Sequence, residues 1–140
     1  MVDGIHISTT NCDFARLLES DVLNFQGPRR VMRTNEVVRN KYGNATYISN
    51  YRSLFIKVTE NMTGTLKLRI EGSLHTFKNQ GKHNYDDFSY TDICNVIEEL
   101  GQICLFDPRK AILHNLEIGV NITPPIETSN ILNSLMMHRM

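Results

Sequence analysis

The stretch LFIKVTENMTGTLKLRIEGSL, residues 54–74, decides the fold class. Residues 54–58 and 65–74 read as two strands, with Asn61-Met62-Thr63-Gly64 supplying the turn between them. In the second strand Leu66, Leu68, Ile70 and Leu74 fall on one side. Lys67, Arg69, Glu71, Ser73 and His75 fall on the other, because strand side chains alternate with period two. One apolar face and one polar face define a half-buried antiparallel strand.

Working outward, Gly4-Ile5-His6-Ile7-Ser8 alternates as a short strand, and Asn11-Cys12-Asp13 caps a helical turn through Phe14, Leu17 and Leu18. Gly27-Pro28 is a break, and 31–38 and 45–51 read as strands around the turn at 41–44. Residues 76–89 read as a polar loop. A helix follows, with Ser89-x-x-Asp92 as its capping box and Ile93, Val96, Ile97, Leu100 and Cys104 on one stripe. Asp107-Pro108 stops it. Residues 111–123 read as a strand with Leu116, Ile118, Val120 and Ile122 on the apolar face and Asn115, Glu117, Gly119 and Asn121 opposite. His114 falls on the apolar side, as a core residue. Pro124-Pro125 ends this strand, and Glu127-Thr128-Ser129 starts a final helix through Ile131, Leu132 and Leu135. The expected architecture is a single α+β domain over residues 1–140, an antiparallel sheet with helices on one face and a polar surface on the other.

The chain has 140 residues, 15 Lys+Arg and 15 Asp+Glu, so its formal charge is zero. That neutrality hides a separation. Residues 28–82 hold eleven basic and three acidic residues, a net +8, and the remainder carries −8. Such a window suits a polyanion, the alternative being neutralisation of the basic half by the acidic half within the fold. No run nears the ~18 apolar residues of a membrane span, and the N-terminus lacks the pattern of a secretory signal. Three cysteines without a CxxC pair read as reduced thiols, so a cytoplasmic protein is expected. Phosphate-binding glycine loops, a Ser-His-Asp order and zinc spacings are absent from the sequence.

If neighbouring strands pair, Glu71, His75, Asn115 and Glu117 share the polar face. Carboxylates with some imidazole suit Mg²⁺ or Mn²⁺, with Glu71, His75 and Glu117 as the expected ligands. The alternative pairs Glu71 with Lys67 or Arg69 and leaves His75 an ordinary surface histidine. Phe77, Lys78, Lys82, His83, Asn84 and Tyr85 mix cations, aromatics and amides, a mixture suited to single-stranded nucleic acid, unless Phe77 and Phe88 pack beneath the loop. Arg29, Arg30, Arg33 and Arg39 suit phosphate contacts rather than base reading. The expected DNA-binding set is Arg29, Arg30, Arg33, Lys67, Arg69, Phe77, Lys78, Lys82, His83 and Asn84.

Gly72-Ser73-Leu74-His75-Thr76-Phe77, then Gly81-Lys82-His83-Asn84-Tyr85-Asp86-Asp87-Phe88, and later the stretch Leu113 to Ile122, resemble the replication initiation proteins of filamentous phages and related plasmids. The resemblance covers residues 54–123. It implies a replication-initiator-like fold, DNA as partner (single-stranded or origin duplex), and metal-assisted origin nicking in which a tyrosine becomes linked to the cut strand. The chain would be the N-terminal, DNA-binding part of a longer initiator. Thr76 stands where the family has Lys, there is no His-x-His pair, and none of the five tyrosines follows a nucleophile motif, so no catalytic residue is assigned. The alternative is a non-catalytic α+β module that binds or assembles with protein.

Overall fold

A computed structural model describes residues 2–28 and 36–119, with Ser129. Five strands, β1 (Val2–Thr9), β2 (Ala45–Tyr51), β3 (Leu54–Glu60), β4 (Leu66–Ser73) and β5 (Ile112–Ile118), form one sheet. Their order across it is β2-β3-β4-β1-β5, and every neighbouring pair is antiparallel. The expected hairpin at 54–74 is present as β3 and β4. The N-terminal strand inserts between β4 and β5, which brings His6 and Ser8 onto the polar face.

Alternation selects the core. Ile5, Leu54, Ile56, Val58, Leu68 and Ile70 bury one face of the sheet against Leu17 of α1 (Phe14–Leu18), Leu74 and Phe77 of α2 (Leu74–Lys78), and Val96 and Leu100 of α3 (Tyr90–Ile103). The helices therefore cover the apolar face, which is the α+β arrangement expected. Asp13 caps α1 by accepting from the Arg16 amide. Ser89 and Asp92 close a reciprocal capping box on α3, satisfying backbone donors that the first turn leaves open. Arg52 in the β2–β3 turn ion-pairs with Glu99 of α3 at 2.8 Å and lies over the Phe77 ring, tying the hairpin to the helices.

Residues 74–78 correct the expectation of a continuous strand and polar loop. Gly72 has a φ of +140°, and a Cβ there would lie 2.5 Å from the Ser53 carbonyl oxygen, so a side chain is excluded by both backbone and space. Ser73 then caps α2, its hydroxyl accepting from the Thr76 amide at 3.1 Å. The chain turns into the core, and His75 leaves the polar face with it. The strand expected at 31–38 lies largely outside the described residues, as do the end of the 111–123 strand and nearly all of the final helix. Among the described residues, no helix is long and apolar enough to cross a membrane.

Along β5, Ile112, Leu113, Leu116 and Ile118 are all exposed. Leu113 and Leu116, with Ile5, Ile7, Ile93 and Ile97, line an apolar groove of about 410 Å³ between this edge strand and α3.

Candidate functional site

Strand register assembles the polar face. A continuous rung crosses all five strands: Asn50 opposite Phe55, Phe55 opposite Glu71, Glu71 opposite His6, and His6 opposite Asn115. Directly paired residues share a face, so these five side chains stand in one row. The next rung carries Ile48, Lys57, Arg69 and Ser8, and Thr59 pairs with Lys67 beyond it.

His6, Glu71 and Asn115, with Gly4, Gly72, Ser73 and Glu117, line a cleft of about 480 Å³. Gly4 makes room there: a Cβ on it would lie 2.6 Å from Oε2 of Glu117, so the Glu117 carboxylate reaches back across β1. Glu71 Oε1 lies 3.6 Å from His6 Nε2 and 3.5 Å from Arg69 Nε, which makes the pairing of Glu71 with Arg69 one of its contacts. His6 Nε2 is buried without a hydrogen-bond partner. An unsatisfied buried ring nitrogen beside a carboxylate is unfavourable until a cation, proton or water bridges them.

His114 is also on this face, which corrects its expected place in the core. The β1–β5 register slips between His6 and Ile7, so one extra residue of β5 bulges there. The bulge turns the consecutive residues His114 and Asn115 to the same side. His114 Nε2 meets the Ser8 hydroxyl at 2.7 Å, and its ring lies 4.7 Å from that of His6. Its pKa is held below the ordinary 6.5, first by desolvation and then by the charges of His6, Lys67 and Arg69. A folded-state value below the unfolded one means that this residue's contribution to stability is present above the ordinary value. It is lost as pH falls through the folded value. In a proton-resonance titration of the free protein, the His114 midpoint is expected below 6.5.

The remaining expected residues are distributed as follows. Lys67 and Arg69 stand on the polar face, and Glu71 and Glu117 both line the cleft. His75 does not join them. It is 0% exposed, stacks on Phe88 and bonds through Nε2 to Asp86 Oδ1 at 2.6 Å, so the expected ligand trio is not assembled. Asp86 is desolvated, which raises its pKa, but hydrogen bonds with Asn79 and His75 outweigh this and hold it below the usual carboxylate value. Phe77 is 0% exposed within the core, which leaves no ring face open to a base. Lys78 pairs with Asp92 at 3.2 Å, and His83 stacks on Tyr85 and contacts Asn79. Lys82 and Asn84 are exposed. Arg29, Arg30 and Arg33 lie outside the described residues. Among the described residues, no group of three or more His, Cys, Asp or Glu side chains is gathered to hold a metal ion.

His6, Ser8, Phe55, Lys57 and His114 are functional candidates that the sequence reading passed over. Phe55 is only half-buried and stands outside the hydrophobic core, with its ring on the polar face beside Glu71. The signal for it was the same alternation that placed Leu54 and Ile56 inside. Cys12 and Cys104 offer no nucleophile. Burial, then Asp13, pushes Cys12 up to about 11, and burial, then Cys12, pushes Cys104 up to about 12, so both are neutral thiols. Comparison with protein-family models, curated proteins and solved structures finds no match to this chain.

Proposed function

We propose that the chain is the DNA-engaging part of a phage- or plasmid-type replication initiator, with the polar sheet face as its single-stranded DNA platform. The observation that carries this reading is the five-strand rung with its basic neighbours. It sets an aromatic ring, Phe55, beside the His6–Glu71 pair and next to Lys57 and Arg69, with Lys67 one rung further on. An aromatic side chain that is not needed by the core can stack a base, and adjacent cations neutralise phosphate. A sheet face is rigid, so bases and phosphates would be held at fixed spacing. The resemblance of residues 54–123 to replication initiators agrees with this chemistry.

The cleft is the proposed contribution to origin nicking. Glu71 and Glu117 offer carboxylate oxygens, Asn115 an amide oxygen and His6 an imidazole nitrogen, a donor set that fits Mg²⁺ or Mn²⁺. The unpartnered His6 Nε2 supports that fit, and His6 takes the place first expected for His75. His6 and Glu71 are the pair already in position. A three-ligand site requires Glu117 to rotate its side chain towards them. A divalent cation there would polarise a phosphate oxygen. Arg69 neutralises and orients the phosphate, while Asn115 and Ser8 supply neutral polar contacts around it. The attacking group is not assigned to this chain.

Binding of labelled single-stranded and duplex DNA, measured across a salt series with and without Mn²⁺, tests the reading. Single-stranded binding is expected to weaken with salt, with a log–log slope of about −2 for three neutralised phosphates. Mn²⁺ should strengthen it, and Glu117→Gln should remove that increment. Bound DNA favours the His114 imidazolium, so its midpoint should rise on saturation. Folded protein that binds no DNA at low salt overturns the proposal.

A separate observation favours a second reading, a protein-binding or assembly module. The apolar groove beside α3 and the exposed apolar side chains of β5 resemble a docking surface more than a solvated edge.

A further inference from the structure

The β3–β4 register creates a charge problem on the polar face. Lys57 is directly opposite Arg69, and Thr59 is directly opposite Lys67. These four side chains alone line a small cavity of about 160 Å³. Like charges placed opposite each other on paired strands are destabilising. Arg69 has the Glu71 carboxylate at 3.5 Å, but neither Lys57 nor Lys67 has an ion-pair partner among the described residues. Across β4 from the pocket, Arg69 faces Ser8 of β1, which brings no negative charge. Acidic Glu60 falls on the alternate side of β3 and is engaged by Arg39 at 3.0 Å. Three cations and a hydroxyl donor thus surround a cavity into which no carboxylate of the described residues reaches.

We propose that Lys57, Thr59, Lys67 and Arg69 form a phosphate pocket, and that it seats a backbone phosphodiester of a strand whose linkage further along reaches the acidic cleft. The second half of this statement rests on the DNA-binding reading above. Arg69 links the two sites, facing the pocket on one side and Glu71 on the other. Along β4, Arg69 and Lys67 precede Glu71 by two and four residues, about 7 and 13 Å at the rise of a strand. A stacked single strand advances about 3.4 Å per phosphate, so roughly two to four linkages separate pocket from cleft. The pocket would therefore hold a phosphate that is not cut, fixing the register of the one that is. Its ligand is the tetrahedral phosphate dianion or diester, recognised by charge and hydroxyl donation without reading a base.

The test uses the full chain, wild type and the double variant Lys57→Gln/Lys67→Gln, with Lys110→Gln as a control for charge lost elsewhere. Each is titrated with a single-stranded homopolymer of thymidine over a salt series. Inorganic phosphate is titrated separately while the backbone resonances of residues 57, 59, 67 and 69 are followed. Losing one phosphate contact should make the salt slope shallower by about 0.7 to 1. That corresponds to roughly five- to tenfold weaker binding at 0.1 M salt, with the control unchanged. The charge-conserving variant Lys57→Arg/Lys67→Arg should restore most of the slope. If wild type binds DNA and the double variant matches it in slope and affinity, the pocket is overturned while the DNA reading stands. If folded wild type binds no DNA but phosphate saturates these four residues, the DNA reading falls and the pocket survives as a free-anion site. Absence of both responses overturns both.

Discussion

Phe77→Ala is expected to destabilise the protein by about 3–5 kcal/mol, the largest single effect of any change considered. The ring is fully buried among the core residues, next to Tyr51 at a centroid distance of 6.1 Å and beneath the Arg52 guanidinium. It is the inner anchor of α2, a five-residue helix with too few turns to hold itself. Removing it leaves a cavity and also releases the contact that joins the β2–β3 turn to the helical layer. Urea denaturation should show a lower midpoint with an unchanged slope, the signature of lost stability rather than of altered unfolding. A loss below about 1 kcal/mol, coupled to weaker DNA binding, would instead place this ring at the surface.

Phe55→Ala should do the reverse. Its ring lies on the polar face, outside the core, so stability should change by less than about 1 kcal/mol. Base–aromatic stacking contributes about 1–3 kcal/mol, so single-stranded DNA affinity should fall about 5- to 150-fold. Phe55→Tyr should retain most of the affinity because every base can stack on either ring. Equal binding by Phe55→Ala and wild type, with the fold intact, would remove the stacking element from the proposal. The two phenylalanines form a matched pair: one ring serves the fold and the other serves the face.

Local alternation made much of the fold legible. The hairpin from Leu54 to Ser73, the capping box at Ser89 and the stripe of α3 all follow from spacing within a single window. What alternation could not give is which strands become neighbours. β1 pairs with residues about sixty to seventy positions away on β4 and more than one hundred away on β5, and that insertion is what brings His6 to Glu71 and Asn115. The bulge that turns His114 outward is likewise a property of the paired strands, since a single strand read with strict period two puts it on the apolar side. His75 was misplaced for a local reason. Gly72 and the Ser73 cap end the strand at Ser73, before His75 can join its polar face, and the five-residue α2 is too short to display a helical period. Leu74 and Phe77, three apart and both apolar, were its only trace. Lys67, Arg69, Glu71 and Glu117 were assigned from sequence to the face on which they stand. Lys57 and Phe55 stand on that same face and follow from the same alternation in β3.

The central claim is that DNA lies across the polar face of the sheet. Backbone and side-chain resonance shifts on titration with a short single-stranded oligonucleotide at low salt test it most directly. The account predicts changes concentrated at His6, Phe55, Lys57, Lys67, Arg69 and His114, with the α3–β5 groove undisturbed. Shifts confined to Ile93, Ile97, Leu113 and Leu116, or no shifts in a protein that remains folded, would contradict it.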